Sequence, residues 1–513
     1  MTSYDTIIIG AGHNGLVCAA YLAKAGQRVL VLEAADAPGG LAADREFHPG
    51  FHSPVAHSLS HFSGKVAADL NLAGHGFTPA ASPLPLISLG SDTNVVIQNG
   101  DVSGASSDDA TAYGNYDALL RRFAGVLDPF WHKTMPRIGN NSLGEVMTFA
   151  KVGLGLRRLG KEDMGEFLRV ASLPIRDLVD EHFENEQLKA LLCWDGLIGS
   201  KMAPRSPNSA VLALLYRMAG DSSGGHTIPA GGVTSLINAL CKSAEDNGAE
   251  VRCSAEVARI MIDANAEGLA ATGVHTMSGE TIKADRVVSA TDSQQTFINL
   301  VGVENLDIGF TNRIRRVRSG GLVGKLHLAL NSMPEFRNVD RPDGRMIIAP
   351  EMDAIEFAFD DAKYGDCSAD PVMEIAVPSA IDSTMAPDGK HVLSAHVMYI
   401  PHQLKGGWTE AARNEIHDRV IDAIAQYADG IQEQIVASEF LTPADIEHEY
   451  RVTGGHWHHG DFAMDQMLMM RPTYEAAQYD SPIPGLHLCS AACHPGGDLT
   501  GMAGHNAAQE LLR

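Results

Sequence analysis

Two short apolar runs, with a helical segment between them, stand at the start of the chain. Residues 6–9 form a β-branched run typical of a buried parallel strand, and residues 28–32 form a second run that ends just before Glu33. Residues 16–23 between them have the pattern of a helix, and Gly26 is placed to end it. The pattern predicts a β-α-β unit.

A long helical block separates two strand-rich regions. Residues 115–220 are mostly helical by periodicity. Because this block is too long for one crossover helix, we interpret it as an inserted helical part of a substrate domain. Strands are predicted before and after it, at residues 86–89, 95–97, 256–262, 271–276, 282–290, 322–330, 347–348 and 392–400. Residues 485–512 predict a strand, a glycine loop and a final helix.

Composition narrows the class of protein. The 513 residues carry 63 Asp and Glu against 39 Lys and Arg, a net charge of −24, which argues against a nucleic-acid partner. The seven cysteines are odd in number and contain no CxxC pair, as is typical of a reducing compartment. With no targeting segment in view and no apolar stretch of about 18 residues, we expect a cytoplasmic chain without a membrane-spanning helix.

A glycine turn joins the first strand to the first helix. Gly10 permits the tight turn, Gly12 allows the backbone to approach a pyrophosphate, and Gly15 lets the helix pack close to the strand. The free N–H groups of the helix suit phosphate. Glu33 follows the second strand, where a carboxylate can accept hydrogen bonds from ribose hydroxyls and repel a 2′-phosphate. The turn therefore predicts a dinucleotide site that disfavours NADP.

Gly39 and Gly40 follow a few residues after this acid, where the simplest interpretation is a Pro-Gly-Gly turn. At this offset, however, the chain resembles the large family of flavin enzymes that includes phytoene desaturases and amine oxidases. A Pro-x-Gly-Gly turn at residues 229–232 and the glycine loop at residues 485–501 resemble the same family. Ser490-Ala491 stands where many relatives have Gly-Asp or Gly-Glu, and points to the phytoene desaturase branch.

The resemblance implies FAD as the cofactor and a set of residues that hold it. Besides Gly10, Gly12, Gly15 and Glu33, the implied cofactor-binding residues are Gly39, Gly40, Leu41, Val257, Ala491, Gly497, Asp498, Leu499 and Thr500.

The implied fold is α/β, with a discontinuous Rossmann-type FAD-binding domain and an inserted α+β substrate domain. The FAD-binding domain is expected to comprise residues 1–75, 226–300 and 456–513. The substrate domain is expected to comprise residues 76–225 and 301–455.

The resemblance also implies an activity. We expect an FAD-dependent oxidoreductase that removes hydride from a carbon of a mostly apolar small-molecule substrate. The alternatives are a flavin amine oxidase and a non-enzymatic lipid or prenyl carrier of the same fold. Because only one glycine fingerprint follows a strand, the expected electron acceptor is oxygen, a quinone or another small oxidant. The substrate's identity and the oligomeric state, including a homo-oligomer, stay open.

Several side chains are candidates for chemistry. Lys325 lies on a strand expected to run toward the flavin, although a solvated strand lysine is the simpler interpretation. His494 lies in the cofactor loop, where it could titrate near the flavin or cap a helix. If residues 456–459 form a strand, only His456 and His458 can share a face, and no further ligand spacing supports them, so we predict no metal site.

Basic and apolar residues interleave at residues 151–161. This pattern is compatible with peripheral membrane contact, and also with a plain surface helix.

Overall fold

The computed structural model describes residues 4–60, 62–137, 143–207, 209–220, 225–265 and 268–513. Its strands are β1 (Tyr4–Ile9), β2 (Val29–Leu32), β3 (Glu46–His48), β4 (Phe51–His52), β5 (Leu86–Ser88), β6 (Val95–Gln98), β7 (Asp101–Ser103), β8 (Glu250–Arg252), β9 (Val257–Asn265), β10 (Gly268–Thr276), β11 (Thr281–Ser289), β12 (Val323–Leu330), β13 (Arg345–Ile348), β14 (Met373–Ala376), β15 (His391–Met398), β16 (Ile435–Leu441) and β17 (Leu486–Leu488).

The helices connect these strands and fill the central part of the chain. They are α1 (His13–Lys24), α2 (Gly64–Asp69), α3 (Ser107–Ala124), α4 (Asp128–Trp131), α5 (Leu143–Arg158), α6 (Gly160–Val170), α7 (Ile175–Asp180), α8 (Glu186–Leu197), α9 (Ala210–Met218), α10 (Thr234–Asp246), α11 (Ile308–Arg315), α12 (Met352–Lys363), α13 (Glu410–Ala425), α14 (Ile431–Gln434), α15 (Pro443–Tyr450) and α16 (Met502–Leu511). Across the described ranges, no helix is both long and apolar enough to cross a bilayer.

The first sheet is built on the predicted β-α-β unit. Strands β8, β2, β1 and β11 lie side by side in that order and run parallel. Strand β11 changes partners along its length: its first residues pair antiparallel with β10, and residues 287–289 pair in parallel with β17. Strand β9 pairs with β10. The carboxyl ends of β1, β2, β11 and β17 therefore meet at one edge, where ligands bind in open α/β sheets.

The second sheet has the order β16-β12-β15-β14-β13-β5-β6-β7 and is antiparallel except between β13 and β5. It combines strands from residues 86–103 with strands from residues 323–441, on either side of the helical block and of the first sheet's middle strands. The mixed α/β fold is confirmed. The domain boundaries stay a prediction.

Candidate active site

A cavity of about 400 Å³ lies at the carboxyl-terminal edge of the first sheet. Ile9, Leu32, Ala290 and Ser490, which end or follow β1, β2, β11 and β17, contribute to its wall. Residues of the second sheet and of the helical block, including His396 and Arg217, also line it. The cavity thus combines a Rossmann edge with side chains from elsewhere in the chain.

The glycine turn after β1 has the geometry that a pyrophosphate requires. Gly10 has a φ of +99°, which favours glycine. A Cβ at Gly15 would come 2.2 Å from the Gly10 carbonyl oxygen, so α1 packs against the turn only with glycine there. A Cβ at Gly12 would meet no atom within 4 Å. Because Gly12 lines the cavity at the N-terminus of α1, that open space can receive a phosphate group.

The second glycine pair lies against the first turn. Gly39 has a φ of +130° and donates its N–H to the Ala11 carbonyl oxygen at 2.9 Å. Gly40 has a φ of +56°, and a Cβ there would lie 3.9 Å from Cα of Gly12. Two loops separated in sequence therefore form one glycine-lined wall.

The Glu33 carboxylate is held at this wall by backbone donors. Its Oε2 accepts the N–H of Ala11 at 2.7 Å, and its Oε1 accepts the N–H of Ala35 at 2.9 Å. An ionised carboxylate oxygen can accept more than one hydrogen bond, so Glu33 keeps acceptor capacity for ribose hydroxyls. The two backbone hydrogen bonds fix the orientation of the carboxylate, and so the direction in which its remaining lone pairs can accept.

The C-terminal glycine loop closes the cavity from the other side. Gly497 and Asp498 both have left-handed backbone, with φ of +49° and +47°. Helix α16 then begins after Gly501 and crosses α1 closely, since a Cβ at Gly504 would lie 2.2 Å from the Asn14 carbonyl oxygen. Helices α1 and α16 thus each begin at a glycine loop, and they contact each other near their N-termini.

Most of the predicted cofactor residues surround this one cavity. Those in its wall are Gly10, Gly12, Gly15, Glu33, Gly39, Gly40, Leu41, Val257, Ala491, Asp498 and Leu499. Gly497 and Thr500 lie in the same loop but not in the wall. The Oγ1 of Thr500 accepts the N–H of Met502 at 3.1 Å and so helps to begin α16. The individual roles of these residues in binding stay predictions.

Lys325 is not the solvated strand lysine of the simpler interpretation. It lies on β12, the second strand from one edge of the sheet, and is 1% exposed, with Nζ 2.7 Å from Nδ1 of His57. Burial lowers its pKa well below the usual value, and Glu374 opposes that shift. Lys325 lies behind the cavity wall rather than in it.

His494 is also set back from the cavity. Its Nε2 lies 2.8 Å from the carbonyl oxygen of Phe130 and its Nδ1 lies 3.0 Å from the hydroxyl of Tyr216. Burial lowers its pKa to about 4. The imidazole is therefore neutral near pH 7 and joins the C-terminal loop to the helical block.

The histidines at residues 456–459 lie in turns, so the strand assumed for them is wrong. His458 and His459 line the cavity, whereas His456 is buried with Nε2 3.0 Å from Oδ1 of Asp461. The sequence pattern failed because these residues follow Gly454 and Gly455, which both have left-handed φ and bend the chain.

A different group, His57, Glu374 and His396, brings three ligand atoms within 4.8 Å of one another. The two imidazole rings, however, stack at 4.1 Å with planes only 13° apart. Ring lone pairs lie in the ring planes, so two nearly parallel rings cannot aim them at one ion. Arg345 also donates to both oxygens of Glu374, at 3.0 and 2.7 Å. The geometry favours a hydrogen-bonded polar cluster over a metal centre.

Sequence reasoning missed the polar side chains at the far end of the cavity. Ser58, His226 and Arg217 line it, and Asp195 and Arg345 stand behind them. In the sequence, only the position of His226 just before the Pro-x-Gly-Gly turn indicated that it belongs to the site. The others come from separate helices and strands, and only the fold brings them together.

A Rossmann edge with two facing glycine loops and a fixed acid defines a dinucleotide-binding α/β oxidoreductase. The model of the family described as flavin containing amine oxidoreductase matches residues 15–512. The chain belongs to that family, and the resemblance seen in the sequence is confirmed.

Two relatives cover nearly the whole chain. Pyridine nucleotide-disulfide oxidoreductase domain-containing protein 2 of Mus musculus is 33% identical over 553 residues, covering 99% of this chain and 93% of the relative. One of the polypeptides of limonene dehydrogenase from Castellaniella defragrans is 28% identical over 548 residues, covering 99% of this chain and 94% of the relative.

A solved structure of wild-type putrescine oxidase bound to putrescine has a TM-score of 0.61 at 15% identity, covering 99% of this chain and 98% of the other. At this identity the likeness shows a shared fold.

The protein is thus an FAD-dependent oxidoreductase. The cavity fits the cofactor: the open space at Gly12 suits the pyrophosphate and Glu33 suits the ribose. The dinucleotide cofactor expected from the sequence is thus FAD.

Proposed function

We propose that the enzyme removes hydride from a carbon of a mostly apolar small molecule. The observation that carries this proposal is the shared cavity, in which the predicted cofactor wall continues into a second wall that includes Ile198, Trp457 and His396. A substrate held against that second wall would lie beside the flavin. The name of the limonene dehydrogenase relative supports an apolar substrate.

The residues of the chain bind and orient, and the cofactor supplies the redox chemistry. When bound, FAD provides a two-electron acceptor for hydride. Gly12 and the α1 N-terminus would hold the pyrophosphate, and Glu33 the ribose. Arg45, whose guanidinium pairs with Glu439 at 2.7 Å, ties the cofactor wall to the edge strand β16 of the second sheet. This ion pair fixes the position of the cofactor wall relative to the second sheet.

We expect the electron acceptor that reoxidises the enzyme to be oxygen, a quinone or another small oxidant. This follows from the single β-α-β glycine unit in the described ranges, which the FAD would fill. We do not propose the carrier alternative further, because the family is one of flavin oxidoreductases. Amine oxidation remains the competing reaction. The cytoplasmic location and the oligomeric state stay predictions.

The test is to purify the protein, release its chromophore and identify it. We expect about one non-covalent FAD per chain, and then bleaching of that flavin without oxygen when an apolar substrate is added. Denatured protein with flavin neither in the supernatant nor in the acid precipitate would overturn the proposal. Flavin that stays in the acid precipitate would mean covalent attachment and leave the rest unchanged.

Peripheral membrane contact is a separate proposal, based on helix α5. Met147 and Leu154 are 50% and 47% exposed there, next to Lys151 and Arg157, which are also exposed. Such a face suits an anionic lipid surface. Co-sedimentation with phosphatidylglycerol vesicles should fall in Leu154→Glu and persist in Leu269→Glu, a matched exposed leucine on β10. Equal binding by both variants would contradict it.

A further inference from the structure

A serine, a histidine and an aspartate lie in a row at the cavity wall. Ser58 and His226 both line the cavity, and Oγ of Ser58 lies 3.0 Å from Nδ1 of His226. On the other side of the ring, Nε2 of His226 lies 3.9 Å from Oδ1 of Asp195. None of the three is among the predicted cofactor-binding residues.

Asp195 is held in place from behind. Its two oxygens accept from Nη1 and Nη2 of Arg345, at 3.1 and 2.6 Å. A fixed carboxylate next to Nε2 favours the tautomer with its proton on Nε2. Nδ1 is then free to accept the proton of the Ser58 hydroxyl, and the other lone pair of Ser58 can accept a hydrogen bond from a bound molecule.

Burial keeps the His226 ring neutral near pH 7. Burial and the Arg345 guanidinium lower its pKa, while Asp195, Glu374 and Asp498 oppose the shift. The imidazole of His57, which also faces the group, has a pKa lowered to about 3 by burial and is neutral too. A neutral imidazole can accept a proton, which a histidinium cannot.

The same surroundings do not suit a cationic amine. Each carboxylate near His226 already has a guanidinium partner: Asp195 and Glu374 pair with Arg345, and Asp498 pairs with Arg217 at 3.2 Å. Both oxygens of Asp195 and of Glu374 accept hydrogen bonds from Arg345, and neither residue lines the cavity, so an ammonium group beside Ser58 would not reach these carboxylates. A neutral group that can donate one proton fits better.

We propose that Ser58 and His226 take the proton of a hydroxyl group on the carbon that is oxidised, so the substrate is a mostly apolar alcohol. The inference rests on the proposed function. The C–H hydrogen leaves with its electron pair as hydride to the oxidised flavin. The O–H proton passes to Ser58 Oγ while the Ser58 proton passes to Nδ1 of His226. A C=O bond forms, and Asp195 stabilises the resulting imidazolium as a positioning residue.

The first experiment compares matched probes without oxygen. Cyclohexanol, cyclohexylamine and cyclohexene share one ring, as do 1-octanol, 1-octylamine and 1-octene one chain. We expect the alcohols to bleach the bound flavin and the amines and alkenes not to do so. Bleaching by amines or alkenes alone, or by none of the six, overturns this inference. A protein that holds no flavin would instead overturn the proposed function.

The second experiment tests the two residues. In His226→Gln the side chain can still hydrogen-bond but cannot take the proton, and we expect bleaching by alcohol to slow about 100-fold. Ser58→Ala should slow it similarly. Flavin content should stay as in the wild type in both variants, and the spectral change on binding the alcohol should stay as in the wild type in His226→Gln. The matched control is His275→Gln, on β10 with Nδ1 2.8 Å from Thr281 and outside the cavity wall.

The pH profile distinguishes a proton acceptor from a merely structural residue. In the wild type the bleaching rate should fall on the acid side of the usual histidine range, since His226 must be neutral to act. This acid limb should be absent in His226→Gln and present in His275→Gln. Wild-type rates in both cavity variants, or an acid limb that survives in His226→Gln, would overturn the inference.

Discussion

The carbonyl oxygen of Gly10 lies where a side chain at Gly15 would have to be, because a Cβ there would approach it to 2.2 Å. Both the tight turn and the close approach of α1 to β1 therefore require a residue without a Cβ atom at position 15. This contact holds the N-terminus of α1 at the cavity edge, where its N–H groups can meet the cofactor phosphates.

Replacing Gly15 by Ala should loosen this turn and release FAD. The Cβ meets backbone, which cannot rotate away, so we expect a loss of about 1–3 kcal/mol in the free energy of unfolding. Released FAD per chain and urea unfolding measure the two effects. Gly114→Ala is the control, since a Cβ at this exposed helical glycine of α3 meets nothing within 4 Å. Full FAD retention in Gly15→Ala would contradict the assigned role.

The Glu33 carboxylate should account for part of the cofactor affinity. In Glu33→Gln an amide N–H₂ replaces one oxygen and faces a backbone N–H of Ala11 or Ala35, so a charge-assisted acceptor is lost. We expect FAD binding to weaken by about 1.5–3 kcal/mol. Titration of the apoprotein with FAD measures this, with the exposed hairpin change Glu280→Gln as a control. An unchanged dissociation constant would place the ribose elsewhere.

The cofactor half of the site was predictable because its signals are local. A strand, a turn with glycines at fixed offsets and a helix follow one another within residues 4–24, and the physical task of each glycine is set by its immediate neighbours. Gly39 and Gly40, by contrast, were predicted from the family resemblance, because the sequence around them predicts only a Pro-Gly-Gly turn. The strand pattern of the second sheet was visible as well, since β12 and β15 are mostly apolar and rich in Val and Leu.

The substrate half was hidden because its contacts join distant segments. Trp194 donates to Oε2 of Glu374 at 2.8 Å across 180 residues, and Lys325 reaches His57 across 268. A lysine within an apolar strand has the same pattern whether it faces solvent or the interior. Its burial is visible only in the folded structure, where β12 lies between β15 and β16 and His57 covers the Lys325 amine.

The Arg345 guanidinium should be essential for stability, because it pairs with the buried Glu374 carboxylate and with the partly buried Asp195 carboxylate. In Arg345→Met, Glu374 and Asp195 lose their partner, and we expect the free energy of unfolding to fall by about 3–5 kcal/mol. The control Arg341→Met removes a guanidinium that is 71% exposed and should change it by less than about 0.5 kcal/mol. Equal stability of the two variants in urea would refute the assigned pairing.

Lys325 should make the wild type less stable at neutral pH than at higher pH. Its folded pKa lies well below the 10.5 of an unfolded lysine, so unfolding at a pH between these two pKa values takes up a proton. This penalty shrinks as pH rises toward 10.5. The stability of Lys325→Met relative to the wild type should therefore fall by about 1.4 kcal/mol per pH unit between about pH 8 and about pH 10. Urea unfolding across that range would show no slope if Lys325 were charged when folded.

The last prediction concerns the source of electrons. Efficient reduction of a flavin by a nicotinamide usually requires a site that holds the pyrophosphate of the nicotinamide cofactor and stacks its ring on the flavin. In two-nucleotide flavoproteins a second β-α-β unit provides that site. Within the described ranges, the glycine turn after β1 is the one whose strand, helix and following parallel strand form such a unit. Gly153 and Gly155 lie inside helix α5 and follow no strand.

We therefore expect NADH and NADPH to be poor reductants of this enzyme, although one relative carries a pyridine nucleotide in its name. The measurement is stopped-flow mixing of the oxidised protein with each nucleotide without oxygen, followed at the flavin absorbance. Slow bleaching that rises linearly with nucleotide concentration is the expected result, because a collision without a binding site does not saturate. Dithionite, which needs no site, should bleach the same sample fully and serves as the control. Bleaching that saturates at micromolar NADH and runs at catalytic rates would show that a nicotinamide site exists without a second glycine turn.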